Sequence, residues 1–201
     1  MTFIKFCGMT READVAKAIE LGVDAVGFVL WPGSPRHVDL NRARTLINML
    51  PPAVTPVGVF VRPSHDDIAE AIAAGIRVSQ IHGTSENGFA DADGELWIAA
   101  SLGSDGMTPR VGAGYTVLLD TGDPERVGGT GRTIDWTEAA RVSATRRVLL
   151  AGGLTPGNVA VAVRRVRPYG VDVASGIETQ PGVKDAAAMQ AFVAAVREAD
   201  R

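Results

Sequence analysis

The chain has 201 residues, 46% of them hydrophobic, which suits one domain over residues 1–201 around one sizeable core. A formal charge of -3 with scattered basic residues leaves no nucleic-acid footprint, and the single cysteine, Cys7, excludes an internal disulfide and thiolate zinc sites. His37, His65 and His82 fall in no metal-ligand spacing, no apolar stretch reaches membrane-spanning length and the N-terminus lacks a signal-peptide layout, so a cytoplasmic protein with no metal and no membrane partner is expected.

The first strand is expected over Phe3 to Cys7, with Thr10 capping a helix from Arg11 to Leu21. A thiol that ends a strand at Cys7-Gly8-Met9-Thr10 sits at the rim of a sheet, where α/β enzymes do their chemistry, although an unpaired cysteine also serves as ordinary buried packing. Alternation puts Phe3, Lys5 and Cys7 on one face, so an ammonium two residues below the thiol is expected to favour thiolate.

The second strand, Ala25 to Val29, leads into the loop Trp31-Pro32-Gly33-Ser34-Pro35-Arg36-His37-Val38. Arg36 there is either a surface residue or a planar fork for a carboxylate. Thr55 to Val61 forms the third strand, and Ser64, with Asp67 three residues on, caps a helix running to Ala74. The fourth strand, Val78 to Ile81, puts Gln80 and His82 on one face, to bind substrate or to hydrogen-bond each other. Thr84 to Gly94 has little apolar periodicity and predicts a shortened helix.

Leu96 to Ala99 is the fifth strand, and the glycine-bearing stretch Ser101 to Gly114 reads as a loop in place of a helix. The sixth strand, Thr116 to Asp120, ends in a carboxylate that suits a proton donor or a loop-bonding cap. Gly128-Gly129-Thr130-Gly131 begins a loop able to cover a ligand or simply to connect two elements. The seventh strand, Val148 to Ala151, precedes Gly152-Gly153-Leu154, with Thr155 capping and Pro156 opening a helix to about Val166. Val171 to Ala174, the eighth, precedes Ser175-Gly176, and Asp185 to Glu198 forms the last helix.

Eight alternating units predict an α/β fold, a single (β/α)8 TIM barrel at the small end of its size range. In such a barrel the first and eighth strands are neighbours, so Asp172 is expected to pair with Lys5 inside it. The glycine turns at Gly152, Gly153, Ser175 and Gly176 follow the strands after which many barrels hold phosphate.

Lys5-Phe6-Cys7-Gly8-Met9-Thr10, Gly27-Phe28 with Ser34-Pro35-Arg36, Val57-Gly58-Val59-Phe60-Val61, Gln80-Ile81-His82-Gly83, Leu118-Leu119-Asp120-Thr121, Gly128-Gly129-Thr130-Gly131, Gly152-Gly153-Leu154 and Val171-Asp172-Val173-Ala174-Ser175-Gly176 together resemble the phosphoribosylanthranilate isomerase family, in order and over nearly the whole chain. The resemblance implies a (β/α)8 barrel catalysing an Amadori rearrangement in tryptophan biosynthesis, with no cofactor and no metal. It implies Cys7 as general base and Asp120 as general acid, and Arg36, Gln80, His82, Gly152, Gly153, Asp172, Ser175 and Gly176, read from strand ends and turns, are the substrate-binding candidates beside them. The partner expected is a small phosphorylated substrate, and a monomer and a homodimer both stay open. Two departures stand out: alanine at Ala99, in a strand where the family commonly carries lysine, and Phe6 in place of a small aliphatic residue. The alternatives are a non-catalytic or substrate-shifted phosphosugar-binding barrel and the related histidine-pathway isomerase, which uses two aspartates.

Overall fold

In a computed structural model, which describes residues 1–83, 94–101, 111–112, 114–120 and 135–201, eight parallel strands close into a barrel. They are β1 (Phe3–Cys7), β2 (Ala25–Val29), β3 (Thr55–Val61), β4 (Val78–His82), β5 (Glu95–Ser101), β6 (Thr116–Asp120), β7 (Val148–Leu150) and β8 (Gly170–Val173). Pairing of Lys5 with Ala25 on one side and with Asp172 on the other makes β1 the seam that closes the barrel. The expected helix shortening after β4 and the loop after β5 fall largely on residues 84–93, 102–110 and 113, and the glycine-rich loop before Trp136 on residues 121–134, all outside the described residues.

Period-two alternation sorts each strand into an inner and an outer face. Ala25, Val57, Val78, Trp97, Leu118, Leu149 and Ala151 fill the interior. The outer faces pack under the helices α1 (Glu12–Glu20), α2 (Leu40–Ile47), α3 (His65–Ala73), α4 (Trp136–Ser143), α5 (Val159–Val166) and α6 (Ala186–Ala199). The spacing of buried residues shows why these stretches are helices: Val159, Ala162, Val163 and Val166 of α5 fall at i, i+3, i+4 and i+7, one apolar stripe. Phe6, unusual beside the cysteine, points outward and meets Phe192 of α6 edge-on, with centroids 6.0 Å apart, so its bulk is absorbed in the helix layer.

Capping chemistry held in one place and moved in two others. Ser64 and Asp67 form the expected reciprocal capping box at α3. Thr10, however, does not cap α1, whose N-cap is Arg11. Its hydroxyl donates instead to the Gly182 carbonyl at 2.5 Å, a tertiary bond that outcompetes the local one. Thr155 and Pro156 also lie ahead of α5, because Asn158 folds the turn on itself: its Oδ1 accepts from the Thr155 N–H at 2.8 Å and its amide donates to the Gly153 carbonyl at 2.9 Å.

Beyond β8 the chain makes one 3-10 turn, Ser175–Ile177, and then a small antiparallel hairpin of β9 (Glu178–Gln180) and β10 (Val183–Lys184). Gly182 turns it with φ +81°. This hairpin is not among the elements expected from the sequence, although Pro181-Gly182 is a turn signal.

Candidate active site

A cavity of about 740 Å³, counted to its open mouth, lies at the carboxyl ends of the barrel strands. The catalytic and substrate-binding candidates all line it: Cys7, Arg36, Gln80, His82, Asp120, Gly152, Gly153, Asp172, Ser175 and Gly176. Their convergence follows from the barrel itself, which collects the last inward residue of each strand on one rim.

Cys7 is buried, at 7% exposure, against an apolar wall of Val29, Val59, Trp31 and Ala174. Below it Lys5 is fully buried and donates to Asp172 Oδ1 at 2.8 Å, the pairing expected from the neighbouring strands. Burial pulls the Lys5 ammonium down, but Asp172 and Cys7 together leave it above its ordinary value. The thiol behaves differently from the expectation that Lys5 would lower it. Burial pushes Cys7 up, Lys5 pulls it down and Asp172 pushes it up, for a net rise, because the ammonium is shared with a carboxylate in a dry site.

Room for this pair comes from Gly27, opposite Cys7 in the register. A Cβ there would lie 2.9 Å from Cys7 Sγ and 3.1 Å from Lys5 Cε. The sequence reading gave Gly27 no role of its own; only the pairing across β1 and β2 reveals it.

On β4, Gln80 Nε2 and His82 Nε2 are 2.8 Å apart. Burial, then the nearby Lys5 charge, depresses His82 to about 4, so the imidazole is neutral at physiological pH. Gln80 Oε1 is buried with no hydrogen-bond partner among the described residues. Asp120 closes β6 on the rim, half-buried.

Arg36 stands on the loop after β2 with its fork already engaged. Its Nε donates to Glu178 Oε1 at 3.0 Å and its Nη2 to Glu178 Oε2 at 2.7 Å. That hydrogen-bonded carboxylate holds the guanidinium above its usual value, and Arg36 and Lys184 hold Glu178 below its own against the cost of burial. Glu178 and Lys184 are residues the sequence reading missed, and neither side chain is more than 4% exposed.

The two glycine turns bring backbone close together. Gly152 and Gly153 adopt φ +77° and +64°, a left-handed pair that suits glycine. Gly176 approaches the first turn so closely that a Cβ would sit 1.9 Å from the Leu154 carbonyl oxygen. Among the described residues no group of three or more His, Cys, Asp or Glu side chains is placed to hold a metal ion, and no helix is long and apolar enough to cross a membrane.

The family model for N-(5'-phosphoribosyl)anthranilate isomerase matches residues 4–195. A relative named as that isomerase, from Methylibium petroleiphilum, is 42% identical over 205 residues, covering 99% of this chain and 95% of its own. The crystal structure of the Thermotoga maritima phosphoribosyl anthranilate isomerase superposes with a TM-score of 0.88 at 32% identity, covering 98% of this chain and 100% of that one. A structure of a phosphoribosyl anthranilate isomerase in complex with reduced 1-(o-carboxyphenylamino)-1-deoxyribulose 5-phosphate superposes with a TM-score of 0.84 at 30% identity, covering 98% and 100%.

Proposed function

Because this chain belongs to the N-(5'-phosphoribosyl)anthranilate isomerase family and is an isomerase of tryptophan biosynthesis, we propose that Cys7 and Asp120 divide the proton transfers of its Amadori rearrangement. The observation that carries this reading is the meeting of a thiol, a carboxylate, a guanidinium and two glycine turns around one cavity.

The chemistry has two halves. As the anilino nitrogen pushes electrons toward C1′, the furanose C1′–O bond breaks and Asp120 delivers a proton to the departing ring oxygen. The iminium so formed acidifies the C2′ hydrogen. Cys7, as thiolate, removes it, and the electron pair of the C2′–H bond forms the enolamine double bond. A proton added at C1′ and the C2′ hydroxyl proton released complete the ketone, 1-(2-carboxyphenylamino)-1-deoxyribulose 5-phosphate. The raised thiol pKa makes the thiolate less populated but a stronger base, and Lys5 stabilises its charge.

Binding follows the same map. Arg36 meets the anthranilate carboxylate, Val29, Trp31 and Val59 provide an apolar wall for the aromatic ring, and the backbone of Gly153, Ser175 and Gly176 receives the phosphate. Asp172 orients Lys5, and Gln80 with neutral His82 offers uncharged hydrogen bonding at the sugar. A free thiol persists most readily in a reducing compartment, which supports a cytoplasmic setting.

The test is the loss of phosphoribosylanthranilate fluorescence with purified protein and with Cys7→Ser and Asp120→Asn. Wild type is expected to turn the substrate over and each variant to lose roughly 10²- to 10⁴-fold in kcat. Equal inactivity of all three on fresh substrate points instead to a non-catalytic phosphosugar-binding barrel.

A further inference from the structure

Lys184 is a fully buried cation that the isomerisation described above does not use. It reaches back from β10 to the catalytic strand, where its Nζ donates to the Cys7 carbonyl at 2.6 Å, to the Ala174 carbonyl at 3.1 Å and to Glu178 Oε1 at 2.7 Å. One ammonium therefore joins the ends of β1 and β8 to the hairpin. Glu178, shared between Lys184 and Arg36, extends the connection to the loop after β2.

The hairpin is itself pinned. Thr10 donates to the Gly182 carbonyl, the Gly182 N–H donates to Glu178 Oε1 at 3.2 Å, and the Lys184 N–H donates to Asp14 Oδ2 at 3.2 Å. Replacing a buried ion cluster by well-packed apolar side chains is often neutral or stabilising, so the cluster points to a role beyond stability. What it does is fix two separate parts of the site through one carboxylate. We propose that Lys184 and Glu178 are positioning residues for the isomerisation, Lys184 setting the Cys7 main chain and placing a second cation near its thiol, Glu178 locking the Arg36 fork in the orientation that meets the substrate carboxylate.

The inference rests on the isomerase reading of Cys7 and Arg36 and extends it to a hairpin that touches no reacting atom. Cys7 is surrounded by Lys5 on β1, Asp172 on β8, Lys184 on β10, Arg36 on the loop after β2, and Asp120 and His82 on the cavity rim. Lys184 lowers the thiol's pKa from the hairpin side, and burial lowers Lys184 itself despite Glu178.

Since Cys7 is the only cysteine, its alkylation by iodoacetamide as a function of pH reads the thiol directly, whether or not the protein turns over substrate. Lys184→Met is expected to move that titration upward and to lower kcat at least roughly tenfold, with its fold checked by circular dichroism. Glu178→Gln is expected to do a different kind of harm: with the Arg36 fork no longer held, KM rises more than kcat falls. A folded Lys184→Met with an unmoved titration, or a Glu178→Gln whose kcat falls with KM unchanged, overturns the proposal. If Lys184→Met does not fold, the KM-against-kcat split in Glu178→Gln decides alone. Failure of the wild type on phosphoribosylanthranilate would count against the isomerase reading of the site, a separate result from an unmoved titration in the variant.

Discussion

At the scale of single residues, the site works by putting charge where water is scarce and balancing it locally. Lys5 is tolerable at zero exposure because Asp172 lies 2.8 Å away, and His82 is tolerable because it is neutral. The depressed His82 value has a stability consequence. Between about pH 6.5 and about pH 4 the unfolded chain takes up the proton and the folded chain does not, so stability present above pH 6.5 is lost as the pH falls through that window. Urea unfolding should show a loss of up to about 1.4 kcal/mol per pH unit from this group, and His82→Gln should lack that component. An identical pH dependence in the two proteins would show that His82 is not held neutral. Gly27 gives a second prediction. In Gly27→Ala the new methyl displaces the thiol or the ammonium, so kcat should fall at least tenfold, on the order of a 1 Å misplacement, and a variant with wild-type kcat would remove Gly27 from the account. Cys7, Asp120 and the Lys5–Asp172 pair were legible in the chain because strand ends and alternation place them. Gly27 was not, since its importance comes from a neighbour across the sheet.

At the scale of elements, the strands and most helices follow from patterns the chain carries in itself, such as the apolar stripe of α5 and the capping box of α3. At Thr155 the local signal gave way to another local contact, with Asn158, but at Thr10 a tertiary contact had taken the side chain. Thr10 has good capping chemistry but spends its hydroxyl on Gly182, 172 positions away, and Arg36 meets Glu178 across 142 positions. The β9–β10 hairpin was invisible for another reason: strands of three and two residues carry too little alternation to read, and only Pro181-Gly182 marks the turn. The two glycine turns are coupled through Gly176. In Gly176→Ala a Cβ cannot share space with the Leu154 carbonyl, so the turns must separate. KM for the phosphorylated substrate should rise about tenfold or more, with a stability loss of about 1–3 kcal/mol by urea unfolding. An unchanged KM would show that the phosphate lies elsewhere.

At the scale of the whole molecule, closure of the barrel does the assembling. Pairing of β1 with β8 brings Lys5 to Asp172, and the same closure places the hairpin's Lys184 on the Cys7 carbonyl. Both chain ends support that seam, the Thr2 N–H and hydroxyl donating to Asp200 at 2.9 and 2.5 Å and Arg197 donating to the Thr2 carbonyl at 2.7 Å. On the proposed mechanism the rim so assembled runs one reaction with two proton carriers, a thiolate and a carboxylic acid. The most direct test is kcat against pH for wild type, Cys7→Ser and Asp120→Asn. Wild type is expected to show a bell-shaped profile with two macroscopic pKa values that belong to the pair, and each variant to lose one ionisation together with most of the rate. Variants that keep the wild-type rate and both limbs of the profile would contradict that mechanism.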